Sequence, residues 1–387
     1  MAFSLLVYTM IDCIKKLKRQ YINTAVINAI SLKQFFLHLL RSWPVLFLNK
    51  SKACFPLNIT LDLTYGCNLA CEFCFINFLP NFDAGSSSDY LGKDEIRKIV
   101  GSVKKKNTSF FLTGGEPLLR NDLLEIVREI KNGGFKCGIF TNATLLKEYI
   151  SGELINLKLD YLLFSLDGPR EIHDSLRAKA GSFEKTIANI KKLIEMRGRQ
   201  VRPRIIINSL VLDKNISCLR EMVDIAKDLK VDCLAFDFLT FLNTKHFMEH
   251  KRCWDKLFPI DKFKSLVWVK DFSRSQFTNF YRSIKEVHSY AKKRNVKIFF
   301  KPDLNQREIV HWFTQDVYFK RRCIYPWNVM RVSPQGEVYP CAAFYLEMGN
   351  LKDSTIEEIW NNDKFINFRK TIRKEKMLSG CTRCVKL

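Results

Sequence analysis

The chain has 387 residues, of which 63 are lysine or arginine and 40 are aspartate or glutamate, so its formal net charge is +23. An apolar fraction of 47% excludes a disordered or fibrous protein, and the length predicts a main domain of about 250 residues with smaller additions. The basic charge favours an acidic partner, such as nucleic acid, anionic lipid or a small acidic electron carrier, without choosing among them.

Residues 1–55 are predicted to form a helical arm ahead of the first strand. Residues 24–48 are strongly apolar, but a lysine, a histidine, an arginine and a proline interrupt them, so a transmembrane span is not expected. The arm either packs on the main domain, which we favour, or lies on a membrane surface as an amphipathic anchor. Because the first charges follow the apolar run, we expect no secretory signal and a cytoplasmic protein, with membrane association as the alternative.

From residue 57 to 238, short apolar runs alternate six times with amphipathic helical patterns. The first run, residues 57–63 (LNITLDL), alternates apolar and polar residues and therefore predicts a strand. Five later runs also predict strands, at residues 110–112, 138–141, 161–166, 204–208 and 234–238. Such repeats indicate parallel βαβ units, and six are too few to close a barrel, so we expect an α/β fold with a partial (β/α)6 TIM-like barrel over residues 56–305. Its chemistry is expected at the carboxyl ends of the strands.

The cysteines indicate metal binding. There are 13 of them, and in a chain with no expected secretory signal clustered cysteines favour metal over disulfide bonds. Six are isolated, and we interpret them as small buried hydrophobic residues: Cys13, Cys54, Cys137, Cys218, Cys233 and Cys253. The other seven fall into two groups.

The first group is Cys67, Cys71 and Cys74, in the sequence TYGCNLACEFCF directly after the first predicted strand. Three thiolates on one loop can bind three irons of a [4Fe–4S] cube and leave the fourth iron open, as a catalytic metal site requires. Zinc held by these three cysteines and a distant fourth is the alternative.

Three further motifs follow the next predicted strands in order: TGGEP at residues 113–117, TNA at residues 141–143 and SLDG at residues 165–168. The two glycines of the first motif let the backbone approach a ligand closely. The carboxylate of Glu116 can accept hydrogen bonds from an ammonium group.

The cysteine triplet and these three motifs, on four successive strand ends, resemble the radical S-adenosylmethionine (SAM) superfamily over residues 56–240. In that family the GGEP loop holds the SAM amino group, the serine after the fourth strand and its neighbours contact the ribose or carboxylate, and an aromatic residue before the third cysteine lies near the adenine. Members often have TNG where this chain has TNA. The resemblance implies cofactor-binding roles for Phe73, Gly114, Gly115, Glu116, Pro117, Asn142, Ser165 and Asp167.

The resemblance also implies a reaction. The chain is expected to be an enzyme that reductively cleaves SAM at a [4Fe–4S] cluster, and the resulting 5′-deoxyadenosyl radical is expected to abstract a hydrogen atom from the substrate. The three cysteines of the first group are then the catalytic cluster ligands.

The second group is Cys323, Cys341, Cys381 and Cys384, with the spacing C-x12-G-x4-C followed by CTRC. It resembles the SPASM/twitch extension of radical SAM enzymes and predicts a separate small domain over residues 311–387. Four cysteines can complete one auxiliary [4Fe–4S] cluster without an open iron. Because the sequence after CTRC lacks the further cysteines of a full SPASM domain, the shorter twitch form is expected; a zinc ribbon is the alternative. Ala342 replaces an aspartate of sulfatase-maturing relatives, which argues against that activity.

The motifs do not specify the substrate. We expect an oxidative modification of a peptide, with a sugar or aminocyclitol-type alcohol or a lipid as alternatives, and an iron–sulfur electron carrier or scaffold as the non-enzyme alternative. Asp237, at the end of the sixth predicted strand, is either a base in the barrel mouth or, as we favour, a helix cap or solvated loop acid. The expected electron donor is an acidic flavodoxin or ferredoxin; nucleic acid is not expected, since no RNA-binding module is recognisable.

Overall fold

A computed structural model describes residues 51–78, 90–103, 107–259, 263, 267–271, 280–305, 308–309, 311–312, 323–341, 344–376 and 378–384. Residues 1–50, which make up most of the predicted arm, and Ala342 lie outside the described residues. The packing of the arm and its membrane alternative therefore stay predictions. In the described ranges no helix is long and apolar enough to cross a membrane.

The described strands form one large sheet and one small pair. The large sheet has the order β12-β11-β10-β1-β2-β3-β4-β5-β6-β9, and its strands are β1 (Asn58–Asp62), β2 (Ser109–Thr113), β3 (Lys136–Thr141), β4 (Tyr161–Ser165), β5 (Arg204–Val211), β6 (Cys233–Phe238), β9 (Ile298–Lys301), β10 (Val329–Val332), β11 (Glu337–Tyr339) and β12 (Gly349–Asn350). The small pair is β7 (Phe241–Leu242) with β8 (Trp268–Val269).

The described helices are α1 (Lys93–Ser102), α2 (Leu123–Asn132), α3 (Glu148–Asn156), α4 (Arg170–Arg177), α5 (Ser182–Arg197), α6 (Leu219–Asp228), α7 (Thr244–Leu257), α8 (Phe280–Arg294), α9 (Tyr325–Asn328), α10 (Ile356–Trp360) and α11 (Asp363–Glu375). Neighbouring strands from β1 to β6, and β6 with β9, are parallel. The α/β partial barrel and all six predicted strands are confirmed. β9 adds a seventh parallel strand beyond the predicted six.

The two faces of the curved sheet carry different residues because side chains alternate along each strand. Ile59 and Leu61 of β1 point outward into the core shared with the helices. The inner face has its own apolar layer, which includes Tyr161, Ile206 and Phe299. Polar side chains that continue this inner face at the carboxyl ends of the strands therefore face the barrel mouth.

The C-terminal residues continue the barrel sheet, and the predicted boundary of a small domain at residue 311 stays a prediction. β10 pairs in parallel with β1, and β11 and β12 extend the sheet from it. Without β10, β1 would be an edge strand with unpaired backbone groups. A bidentate ion pair crosses this junction: Arg331 Nε and Nη2 donate to the two carboxylate oxygens of the fully buried Asp62, at 2.8 and 3.0 Å.

Candidate active site at the barrel mouth

The first cysteine group lies on the loop that follows β1. Cys67 is exposed, Cys74 is half-buried and Cys71 is buried. The loop folds back on itself, since the backbone N–H of Cys74 donates to the carbonyl of Cys71 at 3.1 Å. The pKa of the Cys67 thiol is raised to about 11, chiefly by desolvation and to a smaller extent by the nearby Glu116, Cys71 and Cys74. The three thiols are therefore close neighbours, and a metal that binds them must displace their protons.

The two glycines after β2 pack against this cysteine loop. A Cβ on Gly114, which has φ +131°, would lie 2.3 Å from the carbonyl oxygen of Thr64, and one on Gly115 would lie 2.1 Å from that of Gly66. The Gly115 N–H donates to Thr64 O at 2.6 Å, and the Glu116 N–H donates to Gly66 O at 2.9 Å. The close approach that the sequence predicted is thus made, in the described residues, to the backbone of the loop that carries the cysteines.

Substituting Gly115 tests this packing. Gly115→Ala is expected to destabilise the protein by about 3 kcal/mol, because the methyl group meets backbone that cannot move aside, and to lower the iron bound by the first group. Gly101→Ala is the matched control: its Cβ meets nothing within 4 Å in α1, and alanine is expected to be neutral or better there. Urea unfolding and iron content measure both effects. Equal stability of the two variants would contradict the packing argument.

The Glu116 side chain is held by the protein in this structure, and its predicted contact with the SAM amino group stays a prediction. Glu116 is fully buried, and its carboxylate accepts hydrogen bonds from Leu118 N–H at 3.0 Å, Thr141 Oγ1 at 2.6 Å and Asn142 N–H at 2.8 Å. The carboxylate has no exposed surface in this arrangement. The side chain joins the ends of β2 and β3, and Pro117, at the start of a short 3-10 helix, ends this turn.

Asn142 connects the third motif to the cysteine loop. Its Nδ2 donates to Asn68 Oδ1 at 3.0 Å and lies 3.9 Å from the Sγ of Cys67. Its Oδ1 accepts from the backbone and hydroxyl of Thr144, at 2.9 and 2.6 Å. Ala143, where family members often have glycine, has φ +62°, a left-handed conformation that costs an alanine about 1–2 kcal/mol.

The fourth motif is held by an arginine that the sequence analysis did not single out. Asp167 is fully buried; it forms an ion pair with Arg177 and accepts from the Leu210 N–H at 2.8 Å. Arg177 also lies 3.6 Å from the Sγ of Cys71 and 5.3 Å from the ring centre of Phe73. The Asp167 carboxylate therefore orients Arg177 toward the cysteine loop. The HDSLR sequence on α4, which contains Arg177, was the available signal.

The residues at the mouth fit a polar cofactor. Ser165 and Asn208 are paired across β4 and β5 on the inner face. Asn208 Oδ1 is buried and accepts no hydrogen bond from the described residues. A buried acceptor without a donor indicates a ligand or water that supplies one, and a ribose hydroxyl or amine next to Ser165 would do so. Asn208 was missed because a single polar residue in an apolar strand has no sequence motif.

A second charged pair, after Asp167 with Arg177, lies on the strands β6 and β9, on the side of the mouth opposite the cysteine loop. Asp237 follows Ala235 on the inner face of β6, and it pairs in register with Lys301 of β9. The Lys301 Nζ is 3.7 Å from Asp237 Oδ1, and both side chains keep about a fifth of their surface exposed, 17% and 21%. The favoured prediction for Asp237, a helix cap or loop acid, is wrong: it lies in a strand that faces the mouth. Lys301 was missed because the strand-like run that forms β9 was not assigned to the barrel sheet.

The four cysteines of the second group are also brought together. Burial raises the pKa of the Cys381 thiol, and the nearby Cys323, Cys341 and Cys384 raise it further. Arg383, between the last two cysteines, is buried and donates from Nε to the carbonyl of Trp312 at 2.5 Å, which anchors the CTRC turn.

The donor set fits a cluster with all its irons bound by protein. Among the described residues, no three Cys, His, Asp or Glu side chains converge closely enough to hold one metal ion. A cube binds each thiolate at a different iron and does not require that convergence.

The comparisons with known proteins agree with this arrangement. Residues 61–226 match the family model of the radical SAM superfamily, and residues 323–385 match that of the SPASM iron–sulfur cluster-binding domain. An AdoMet-dependent heme synthase of Methanosarcina barkeri (strain Fusaro / DSM 804) is 27% identical over 339 residues, covering 85% of this chain and 88% of that protein. The antilisterial bacteriocin subtilosin biosynthesis protein AlbA of Bacillus subtilis (strain 168) is 25% identical, covering 79% of this chain and 60% of that protein.

A solved structure with a similar fold is that of Streptococcus suis SuiB. It has a TM-score of 0.59 and 17% identity, and the match covers 92% of this chain and 78% of SuiB. At this identity the likeness shows the fold alone.

The two family matches fall on the two parts of the chain that carry the cysteine groups, the parallel partial barrel and the C-terminal segment that extends its sheet. This chain belongs to the radical SAM superfamily, with a SPASM domain at its C-terminal side. It is therefore an enzyme whose cofactors are SAM and [4Fe–4S] clusters, and the electron-carrier and zinc alternatives are set aside. The assignment of individual residues to these cofactors stays a prediction.

Proposed function

We propose that this enzyme abstracts a hydrogen atom from a peptide and completes an oxidative modification of it, with the auxiliary cluster taking up the electron that the substrate loses. The observation that carries the proposal is that the four cysteines of the second group lie near enough to influence one another's thiols: Cys323, Cys341, Cys381 and Cys384. A cluster that they ligate fully has no open iron for SAM, which leaves electron transfer as its chemical use.

The first site supplies the radical chemistry in this proposal. When bound, its cluster and SAM supply a carbon radical by one-electron cleavage of the sulfonium. Cys67, Cys71 and Cys74 would hold the cluster, and Arg177 would place a positive charge beside Cys71. Asn208 and Ser165 would orient the ribose, and the buried Glu116 would keep the ends of β2 and β3 in place.

A peptide substrate is supported by two of the similar proteins. AlbA is named as a bacteriocin biosynthesis protein, and a SuiB structure that matches with a TM-score of 0.58 is bound to the precursor peptide SuiA. The open mouth, with Asp237 and Lys301 on the side opposite the cysteine loop, offers a partly exposed carboxylate and ammonium to an extended substrate.

A porphyrin is the second candidate substrate. The AdoMet-dependent heme synthases of Methanosarcina barkeri, Oleidesulfovibrio alaskensis and Nitratidesulfovibrio vulgaris match over 84–85% of this chain, a larger share than AlbA matches. In this candidate the same oxidative chemistry would act on a porphyrin side chain, and Lys301 could pair with a carboxylate of it.

A substrate comparison decides between them. The anaerobically reconstituted enzyme, with SAM and dithionite, is given either a short peptide encoded beside its gene or an iron porphyrin that carries propionate groups, and products are analysed by mass spectrometry. A peptide that has lost hydrogen in step with 5′-deoxyadenosine formation supports the proposal. Modification of the porphyrin alone would replace it with the second candidate, and 5′-deoxyadenosine without change in either would refute both.

Asp237 is expected to act as a proton acceptor or anchor for the substrate. In Asp237→Asn, the ratio of modified product to 5′-deoxyadenosine is expected to fall by about 100-fold or more, because a neutral amide cannot take up a proton. Asp94→Asn, an exposed carboxylate on α1, is the control. If the product ratio of Asp237→Asn matches that of Asp94→Asn, Asp237 has neither role.

An acidic flavodoxin or ferredoxin is the proposed electron donor. The net charge of +23 favours such a partner, and the exposed Cys67 would bring the first cluster near the surface where it docks. Because docking between opposite charges is screened by salt, reduction by flavodoxin is expected to slow as ionic strength rises, whereas reduction by dithionite does not share that dependence. Equal salt dependence for both reductants would contradict charge-driven docking.

A further inference from the structure

Four aromatic residues form a continuous packed group between the two cysteine groups; we call it the tyrosine bridge: Tyr65, Phe75, Tyr339 and Tyr345. The hydroxyls of Tyr65 and Tyr345 are hydrogen-bonded to each other. The rings of Tyr345 and Tyr339 stack with centroids 3.5 Å apart and an interplanar angle of 16°. Phe75 packs against this stacked pair, and the three tyrosines are buried.

Each end of the tyrosine bridge is attached to a predicted cluster ligand. Tyr65 is two residues before Cys67, and Phe75 directly follows Cys74. At the other end, the N–H of Phe344 donates to the Sγ of Cys341 at 3.4 Å, and Phe344 is bonded to Tyr345. A path of covalent bonds, hydrogen bonds and stacked rings therefore runs from one sulfur to the other inside the protein.

Charged groups of both signs lie beside the bridge, since the Tyr339 hydroxyl donates to the carboxylate of Glu337 and Arg331 lies against Phe75. The guanidinium of Arg331 lies 4.9 Å from the ring centre of Phe75. The Arg331 charge is offset by the carboxylates of Asp62 and Glu337, so the path depends on the contacts between its rings and hydroxyls. Asp62 holds this guanidinium in position with two hydrogen bonds.

We propose that the tyrosine bridge is the route by which single electrons pass between the two cluster sites. The inference rests on the proposed assignment of the two cysteine groups to two clusters. The step moves one electron from the reduced cluster of one site to the oxidised cluster of the other, in either direction. No bond is formed or broken, and the tyrosine hydroxyls keep their protons. Aromatic rings in contact give stronger electronic coupling between an electron donor and an acceptor than an unfilled gap of the same length.

The test follows the electron without substrate. Wild type and variants, each with both clusters, receive one electron by a photochemical flash in the absence of SAM, and freeze-quenched samples are examined by electron paramagnetic resonance to see which cluster is reduced. Tyr345→Leu is expected to slow equilibration between the clusters several-fold, with iron content and both midpoint potentials unchanged. Phe365→Leu, a buried aromatic of α11 outside the bridge, is the control and should equilibrate at the wild-type rate.

If Tyr345→Leu loses its auxiliary cluster, two more conservative variants still test the route. Tyr65→Phe and Tyr345→Phe keep the rings and remove only the hydroxyl contact, and each is expected to slow equilibration without changing iron content. If all cluster-containing variants equilibrate at the wild-type rate, the bridge is packing and the route is wrong. A wild type with iron for a single cluster would refute the two-cluster assignment itself, which is a different result.

Discussion

A Cys67→Ala, Cys71→Ala, Cys74→Ala variant is expected to lose SAM cleavage entirely and to keep about four of the about eight irons that two cubes hold. All three side chains lie on the one loop after β1, so the variant removes every protein ligand of the first site. The second group lies elsewhere in the fold: Cys323 precedes α9, Cys341 follows β11, and the CTRC turn is anchored through Arg383. Loss of the first cluster should therefore leave the second intact.

The measurement is 5′-deoxyadenosine formed under dithionite, with iron per chain determined on the same anaerobic preparation. A Cys54→Ala, Cys218→Ala, Cys253→Ala variant is the matched control, because it removes three cysteines outside both groups. It should keep about eight irons and wild-type SAM cleavage. Any SAM cleavage by the first variant would disprove the ligand assignment, and loss of all its iron would show that the two sites do not fold independently.

The barrel could be predicted because its signals are local. The alternation of residues 57–63 marks β1, and the motifs mark the ends of β1 to β4 in chain order. Parallel strands bring their carboxyl ends to one edge, so motifs that follow successive strands are predicted to lie together without knowledge of any tertiary contact.

The roles of single side chains could not be predicted in the same way. Glu116 looks like a ligand for an ammonium group when only its motif is read, yet its partner Thr141 lies 25 residues away in sequence and buries the carboxylate. The partner of Asp167 also lies outside its motif, since Arg177 belongs to the next helix, α4. Burial of a polar group depends on contacts that a motif does not contain.

The pairing of β10 with β1 was the largest feature of the fold that could not be predicted from the sequence. The register that pairs Thr60 with Arg331 joins strands 271 positions apart. In the sequence, Asp62 is one of the polar residues of an alternating strand, and such residues usually face solvent. In a barrel, however, both faces of the sheet are shielded from water. The Asp62 carboxylate therefore needs a cation as its partner, and only the tertiary fold identifies that partner as Arg331.

Arg331→Met is expected to lower the free energy of unfolding by about 3–5 kcal/mol, because it leaves the Asp62 carboxylate buried without its partner. The pair is buried and is not a surface salt bridge: Asp62 has no exposed side-chain surface, and Arg331 exposes 13% of its side chain. The pair also holds β10 against β1, so the loss should be accompanied by weaker binding of the auxiliary cluster. Equilibrium urea unfolding of the anaerobic holoprotein measures the first effect, and iron content the second.

The loss in Arg331→Met is expected to depend on pH in a defined direction. Burial raises the pKa of Asp62 above 3.8 and Arg331 lowers it, so removing the arginine raises the folded-state pKa further. Between the unfolded and folded pKa values the folded state binds more protons, and its stability therefore falls as pH rises. Relative to wild type, the variant should be least impaired near pH 4 and progressively worse until the folded pKa is passed.

Removing both charges separates the ion pair from simple packing. Asp62→Leu with Arg331→Met replaces the pair by apolar side chains, and it is expected to recover most of the stability and to lose the added pH dependence, since no buried charge remains. If Arg331→Met alone costs less than about 1 kcal/mol, the pair contributes no more than an exposed ion pair does. If the double variant is as unstable as the single one, the shape of the arginine matters more than its charge, and the junction between β1 and β10 depends on packing.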